Sequence, residues 1–278
     1  MNSTAYSDLN SVLQELVDCI QSILAKDFTG AYLQGSFAVG DFDQHSDVDF
    51  IIAIEKELLA EQVQALQVMH DRIFNLDSPW AQHLEGSYFP KGILKDYTQR
   101  SHILWYLDNG SRSLIQSDHC NTIVVRWTLR EHGILLAGPS PSSLVDPIPV
   151  NALREDIFET INDWGKKILS NPEPYNNRFY QSFIVLSYCR MLHDLLTGTV
   201  SSKRASAEWA KANLDPSWNG LIDRTWAGRP NPEQSVRQPA DPKDFQNTLE
   251  FIRYVTHLSN RYAAEQGLRI PSTTTEPS

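Results

Sequence analysis

Residues 30–54 limit what this chain can become more than any other stretch. They read Gly-Ala-Tyr-Leu-Gln-Gly-Ser-Phe-Ala-Val-Gly-Asp-Phe-Asp-Gln-His-Ser-Asp-Val-Asp-Phe-Ile-Ile-Ala-Ile. A short apolar run, Ala31-Tyr32-Leu33, stops at Gly35-Ser36 as a strand stops at a turn. A polar loop follows, and Ser46-Asp47-Val48-Asp49 then opens Phe50-Ile51-Ile52-Ala53-Ile54. That run is apolar and mostly β-branched or aromatic, the composition of a buried strand.

Side chains alternate along a strand, so Asp47 and Asp49 share a face. Paired carboxylates repel unless a cation lies between them, and hard oxygen donors with room for phosphate describe a Mg²⁺ site. Gly35 lets the backbone approach a phosphate, and Ser36 offers an N–H and a hydroxyl to its oxygens. Alone, Asp-x-Asp is usually a solvated turn and Gly-Ser is weaker still. Together, at this spacing and ahead of a buried strand, they resemble the signature of the polymerase-β-like nucleotidyltransferase superfamily.

The flanking pattern is that of an α/β (α+β) domain. A helix is expected over 8–26, with apolar positions from Leu9 to Leu24, and another over 56–74. Leu84 to Phe89 reads as a third strand, closed by Pro90. Glu85 in that strand is either an edge glutamate facing water or, once the aspartate pair is accepted, the third carboxylate of the site. Residues 102–110 suggest a short strand ending in an Asn-Gly turn, 119–132 a helix capped by Ser117 or Asp118, and 134–139 one more strand. The proline-rich passage 140–149 marks a boundary. Beyond it helices are expected at 150–169, 179–196, 202–213, 216–226 and 244–266. The organisation is therefore a nucleotidyltransferase domain with a mixed sheet over 1–148, an all-α helical domain over 149–270, and a polar, disordered tail over 271–278.

Two cations stand out in the helical half. Arg190 interrupts an otherwise apolar helix; it either pairs with Asp194 one turn on or serves an anionic ligand. Lys203, in the first turn of the next helix, is either solvated or helps an anion dock there. Trp226 is either a core tryptophan or a surface for adenine.

Gly35-Ser36, Ser46-Asp47-Val48-Asp49, Glu85, Leu-Ala-Gly-Pro at 136–139, and Leu-Thr-Gly followed by Ser-Lys and Glu-Trp-Ala at 208–210 resemble the aminoglycoside 3''-adenylyltransferase family of streptomycin/spectinomycin type. The similarity runs from about residue 10 to 265. It implies that Asp47 and Asp49 bind Mg²⁺, that Glu85 is the catalytic base, and that Arg190 and Lys203 contact the phosphates of ATP held near Gly35, Ser36 and Ser46. All three carboxylates, Asp47, Asp49 and Glu85, are expected to meet around the metal. The implied activity is transfer of AMP to a hydroxyl of a small molecule, an aminoglycoside such as streptomycin or spectinomycin, and with it antibiotic resistance. Streptomycin-modifying members are expected to carry an acidic residue just before the arginine helix, where this chain reads Asn176-Asn177-Arg178. The segment 97–117, Trp105 included, also departs from the resistance enzymes. Transfer of AMP to a protein hydroxyl, as in antitoxin-type relatives, and a non-catalytic nucleotide-binding module are the alternatives.

A net charge of −10 over 278 residues argues against a grip on long nucleic acid, and an acidic cleft favours a cationic acceptor. Charged residues make up 21% and hydrophobic ones 41%, as in globular proteins, and no apolar run approaches a membrane span. Cys19, Cys120 and Cys189 have no metal-ligand spacing and read as reduced core thiols. A cytoplasmic monomer is expected.

Overall fold

The computed structural model describes residues 3–42, 46–229 and 236–268. Helix α1 (Ser7–Leu24) buries Leu9, Val12, Leu13, Leu16, Val17 and Ile20 on one stripe, the periodicity read from sequence. Strand β1 (Phe28–Leu33) follows. It ends in α2 (Gly35–Ala38), one turn of helix that the sequence did not reveal. Next come β2 (Val48–Ile54), α3 (Ala60–Phe74) and β3 (Leu84–Pro90). The second helix thus starts at Ala60 rather than 56, where the Gln62 side chain accepts from the Leu59 amide at 2.9 Å.

After the short α4 (Lys91–Lys95), β4 (Leu104–Leu107) and β5 (Leu114–Ser117) form a hairpin. Only its first strand was expected. Helix α5 (Ile123–His132) begins four residues later than its local cap signals suggested, because Thr122 and not Ser117 or Asp118 accepts the capping bond, from Val125 N at 3.1 Å. Strand β6 (Ile134–Ala137) completes the sheet.

The sheet order is β5-β4-β3-β2-β1-β6. Strands β2 and β3 are parallel and all other neighbours antiparallel, so the sheet is mixed. The parallel pair requires a crossover, which α3 supplies. Alternation along β2 sends Phe50, Ile52 and Ile54 into the core shared with α1 and α3, and Ile51 and Ala53 into the core shared with Leu94 and Leu129. Asp49 lies on the face of Ile51 and Ala53. That face carries the site.

The chain divides into two compact units, Met1–Ile148 and Pro149–Ser278. The second is helical among the described residues. It contains α6 (Val150–Ser170), α7 (Arg178–Thr197), α8 (Lys203–Asn213), α9 (Asn219–Ala227) and α10 (Pro242–Gln266). Helix α7 is buried along most of its length and packs against the other four. Asn177 caps its start and Gly198, at φ +72°, ends it in the left-handed conformation. The tail over 271–278 and the loop residues 230–235 lie outside the described residues. No described helix is long and apolar enough to cross a membrane.

Candidate active site

Asp49 and Glu85 are register partners on parallel strands β2 and β3. Paired residues of adjacent strands point the same way, so both carboxylates lie on the α5 face of the sheet. Position 35 explains the glycine above them. Gly35 has φ +60°, and a Cβ there would lie 2.0 Å from Asp49 Oδ2. The turn after β1 is therefore pressed onto the carboxylate, and glycine alone satisfies both the backbone angle and the space. The turn is tied down further: Gln34 N donates to Asp49 O at 2.9 Å, and Gly35 N donates to Gln34 Oε1 at 2.8 Å.

The Ser36 hydroxyl is buried without a hydrogen-bond partner. An orphaned donor of this kind costs about 1–3 kcal/mol, and a ligand oxygen would relieve it. Ser46 and Asp47 are half-buried just ahead of β2. Asn109, from the β4–β5 turn, donates its side-chain amide to Asp47 Oδ1.

Glu85 is half-buried, and its Oε1 accepts from the Tyr106 hydroxyl at 2.6 Å. That hydroxyl also lies 3.0 Å from Asp108 Oδ1. Burial first, and then the Glu85 charge, push the Tyr106 hydroxyl far above its usual range, so it stays protonated as a donor. Cys120 is buried against the same group. Its thiol is pushed up strongly by burial first and then by the charges of Glu85 and Asp49, which disfavours the thiolate while no cation is beside it.

The carboxylates of Asp47, Asp49, Glu85 and Asp108 thus gather in one region with a pinned glycine turn beside them. Asp47 and Asp49 supply the hard oxygens a Mg²⁺ ion takes, and the unpartnered Ser36 hydroxyl supplies a donor for a phosphate oxygen. The residues fit that pair of ligands. Among the described residues, one group of three has its ligand atoms within 4.8 Å of one another: Glu85, His119 and Cys120. Asp47 and Asp49 stand outside that group, so the three carboxylates are neighbours on one face rather than a closed ligand set.

Tyr106 and Asn109 were not found from sequence. Their segment looked irregular, and only the hairpin that carries them reveals the contacts. Cys120, read there as an inert core thiol, is buried as expected but lies beside Glu85.

Arg190 and Lys203 belong to the helical unit, on the packed pair α7 and α8. Asp194 does not take Arg190 as its ion-pair partner. Its Oδ1 lies 2.9 Å from His193 Nδ1 and accepts from Ser201 N at 3.0 Å. Burial raises the Asp194 pKa, opposed by the His193 hydrogen bond and by the charge of Arg190. Lys203 Nζ sits 4.7 Å from the Phe183 ring centroid. Trp226 is half-buried, with the Arg229 guanidinium 4.3 Å from its ring centroid. Asn177, just ahead of the helix that carries Arg190, caps α7 by accepting from Tyr180 N at 2.9 Å.

Residues 143–256 match the family model described as aminoglycoside adenylyltransferase, C-terminal domain. Over 281 residues the chain is 23% identical to an aminoglycoside (3'')(9) adenylyltransferase of Escherichia coli, covering 92% of this chain and 96% of the relative. It is 23% identical over 233 residues to a spectinomycin 9-adenylyltransferase of Staphylococcus aureus, covering 77% and 82%. Its fold is similar to that of a spectinomycin adenyltransferase from Enterococcus faecialis, solved with ATP and spectinomycin. That superposition has a TM-score of 0.67 at 12% identity and covers 90% of this chain and 99% of the other.

Proposed function

From the similarity of this chain to aminoglycoside adenylyltransferases over most of its length, we propose that it belongs with them and transfers AMP from ATP to a hydroxyl of a small, cationic acceptor, an aminoglycoside or spectinomycin. One observation carries the reading: Asp49 and Glu85 stand side by side across the parallel strands with Gly35 closed down on Asp49.

Asp47 and Asp49 would hold Mg²⁺, which supplies charge neutralisation at the phosphates. The Gly35 turn and the Ser36 hydroxyl bind phosphate oxygens, with Ser46 alongside. Arg190 and Lys203 are assigned to the triphosphate. Tyr106 donates to Glu85 and fixes the carboxylate as an acceptor. Glu85 takes the proton of the acceptor hydroxyl. The hydroxyl oxygen then bonds to the α-phosphorus in line, the bond to the β-phosphate oxygen breaks, and pyrophosphate leaves. An acidic protein, at a net charge of −10, favours approach of a polycationic acceptor.

The test is pyrophosphate release from Mg·ATP over a panel of aminoglycosides and spectinomycin, with Glu85→Gln as the variant. Turnover with at least one acceptor, abolished in Glu85→Gln while calorimetric ATP binding persists, supports the reading. Full turnover in Glu85→Gln removes the base assignment. Label from ATP appearing on a protein, and on no antibiotic, turns the reading toward protein AMP transfer.

A further inference from the structure

Adenylyl transfer leaves two side chains beside Glu85 without a role. Glu85, His119 and Cys120 each present a ligand atom within 4.8 Å of the other two. They come from places remote in sequence: Glu85 from β3, and His119 and Cys120 from the loop ahead of α5. That loop is fixed. Asn121 is buried, and its amide donates to the carbonyls of Gln99 at 2.8 Å and His102 at 2.7 Å. His119 N donates to Ser117 Oγ at 3.1 Å, and the imidazole lies 5.6 Å from the Tyr106 ring.

The donors differ in kind from the aspartate pair. One sulfur, one imidazole nitrogen and one carboxylate oxygen suit Zn²⁺, whereas Mg²⁺ prefers oxygens alone. Bonds of about 2.0–2.3 Å in a tetrahedron put ligand atoms about 3.6 Å apart, so closure of about 1 Å completes three positions and leaves the fourth open. Cys120 lies in the field of Glu85, Asp49 and Asp108, which a dication offsets. His119 is exposed and gives an ion a way in, whereas Cys120 is buried and shields the sulfur.

We propose that Glu85, His119 and Cys120 form a Zn²⁺ site overlapping the transfer site, and that zinc bound there withdraws Glu85 from the acceptor hydroxyl and stops turnover. The binding rests on the cluster alone. The inhibition rests on the adenylyl-transfer reading above. Mg²⁺, with no affinity for the thiol, does not displace the zinc.

Cobalt(II) is the probe for binding, titrated into the full chain in a Cys19→Ser background that removes the most exposed thiol. A thiolate-to-cobalt charge-transfer band is expected, displaced by zinc and insensitive to millimolar Mg²⁺. Cys120→Ser abolishes the band, and His119→Ala and Glu85→Gln each weaken cobalt binding at least tenfold. His119 is exposed, so its variant keeps the test open should Cys120→Ser not fold. In pyrophosphate release, zinc inhibits the parent, and Cys120→Ser resists it at least tenfold when each is compared with its own zinc-free rate. A band that survives Cys120→Ser, or cobalt binding that neither His119→Ala nor Glu85→Gln weakens, overturns the site. Binding without inhibition in an active enzyme overturns the overlap. A protein that binds cobalt through these residues but turns over no acceptor sinks the transfer reading and leaves the site standing.

Discussion

Tyr106 and Glu85 are joined by a 2.6 Å hydrogen bond from phenol to carboxylate, across the antiparallel pair that β3 makes with β4. Burial and the Glu85 charge keep the phenol protonated, so the donor is permanent over any working pH. If Glu85 collects a proton from an acceptor, its carboxylate must be held in one orientation, and this bond holds it.

Tyr106→Phe keeps the ring and removes the donor. A hydrogen bond to a charged group contributes about 1.5–3 kcal/mol, so kcat is expected to fall on the order of 10- to 100-fold. Tyr106 bonds to Glu85 and Asp108, and if it acts only through Glu85, KM for ATP stays unchanged. Steady-state kinetics with ATP varied at saturating acceptor make the measurement. A rise in KM with kcat preserved would show that Tyr106 binds nucleotide instead.

How much of this was legible beforehand differs by residue. The β2 run from Phe50 to Ile54 announced a buried strand, and period-two alternation then placed Asp49 on a definite face. Glu85 followed, because a carboxylate inside an apolar strand needs a reason. Tyr106, Asn109 and Cys120 gave no such signal. Each meets its carboxylate through a hairpin or loop whose pairing depends on tertiary register, which local pattern does not encode. The start of α5 was misplaced for a related reason. Ser117 and Asp118 are good caps in isolation, but pinning the 118–121 loop through Asn121 leaves Thr122 as the residue positioned to accept from Val125. Arg190 and Asp194 stand one helical turn apart, yet His193 and the Ser201 amide take the Asp194 carboxylate.

Gly35→Ala separates the site from the fold. The added Cβ meets the Asp49 side chain along its length, Oδ2 at 2.0 Å, Cγ at 2.6 Å and Cβ at 3.0 Å, so the carboxylate must turn aside and its strand give slightly. The fold therefore survives, at about 1–2 kcal/mol for a left-handed residue, while the Asp49 carboxylate leaves its place. Gly40→Ala is the control: its φ is also positive, at +74°, with nothing within 4 Å of the new Cβ. Both variants are expected to lose stability in denaturant, Gly35→Ala somewhat more because of the contact with Asp49. Only Gly35→Ala loses turnover, by at least 100-fold, together with Mg²⁺-dependent ATP binding. Equal activity in the two would show that Gly35 serves the turn and not Asp49.

Asp194→Ala tests the helical unit. The residue is buried, and removing it leaves the Ser201 N–H and His193 without their partner at the start of the segment leading to α8. Unmet polar groups in such a place cost about 1–3 kcal/mol each, so a loss of about 3 kcal/mol in urea unfolding is expected. If Arg190 and Lys203 contact ATP, disturbing the α7–α8 connection also raises KM for ATP several-fold, with kcat little changed. Lost stability with an unaltered KM would confine Asp194 to folding.

His70 sets a pH limit on the fold, at a distance from the chemistry. It projects from α3 into the core, where its Nε2 meets the Tyr88 hydroxyl at 2.7 Å and its Nδ1 has no hydrogen-bond partner. Burial lowers its pKa from 6.5 to about 3. Between those values the unfolded chain binds a proton that the folded chain refuses, so unfolding is favoured as pH falls. The His70 contribution is complete above pH 6.5 and shrinks as pH drops toward 3, at about 1.4 kcal/mol per pH unit. His70→Gln keeps a polar partner for Tyr88 without the titration. Urea unfolding at pH 7, 6, 5 and 4.5 should show parent stability falling faster than that of His70→Gln, the two curves converging or crossing on the acid side. Parallel curves would mean that His70 takes up its proton within the folded core.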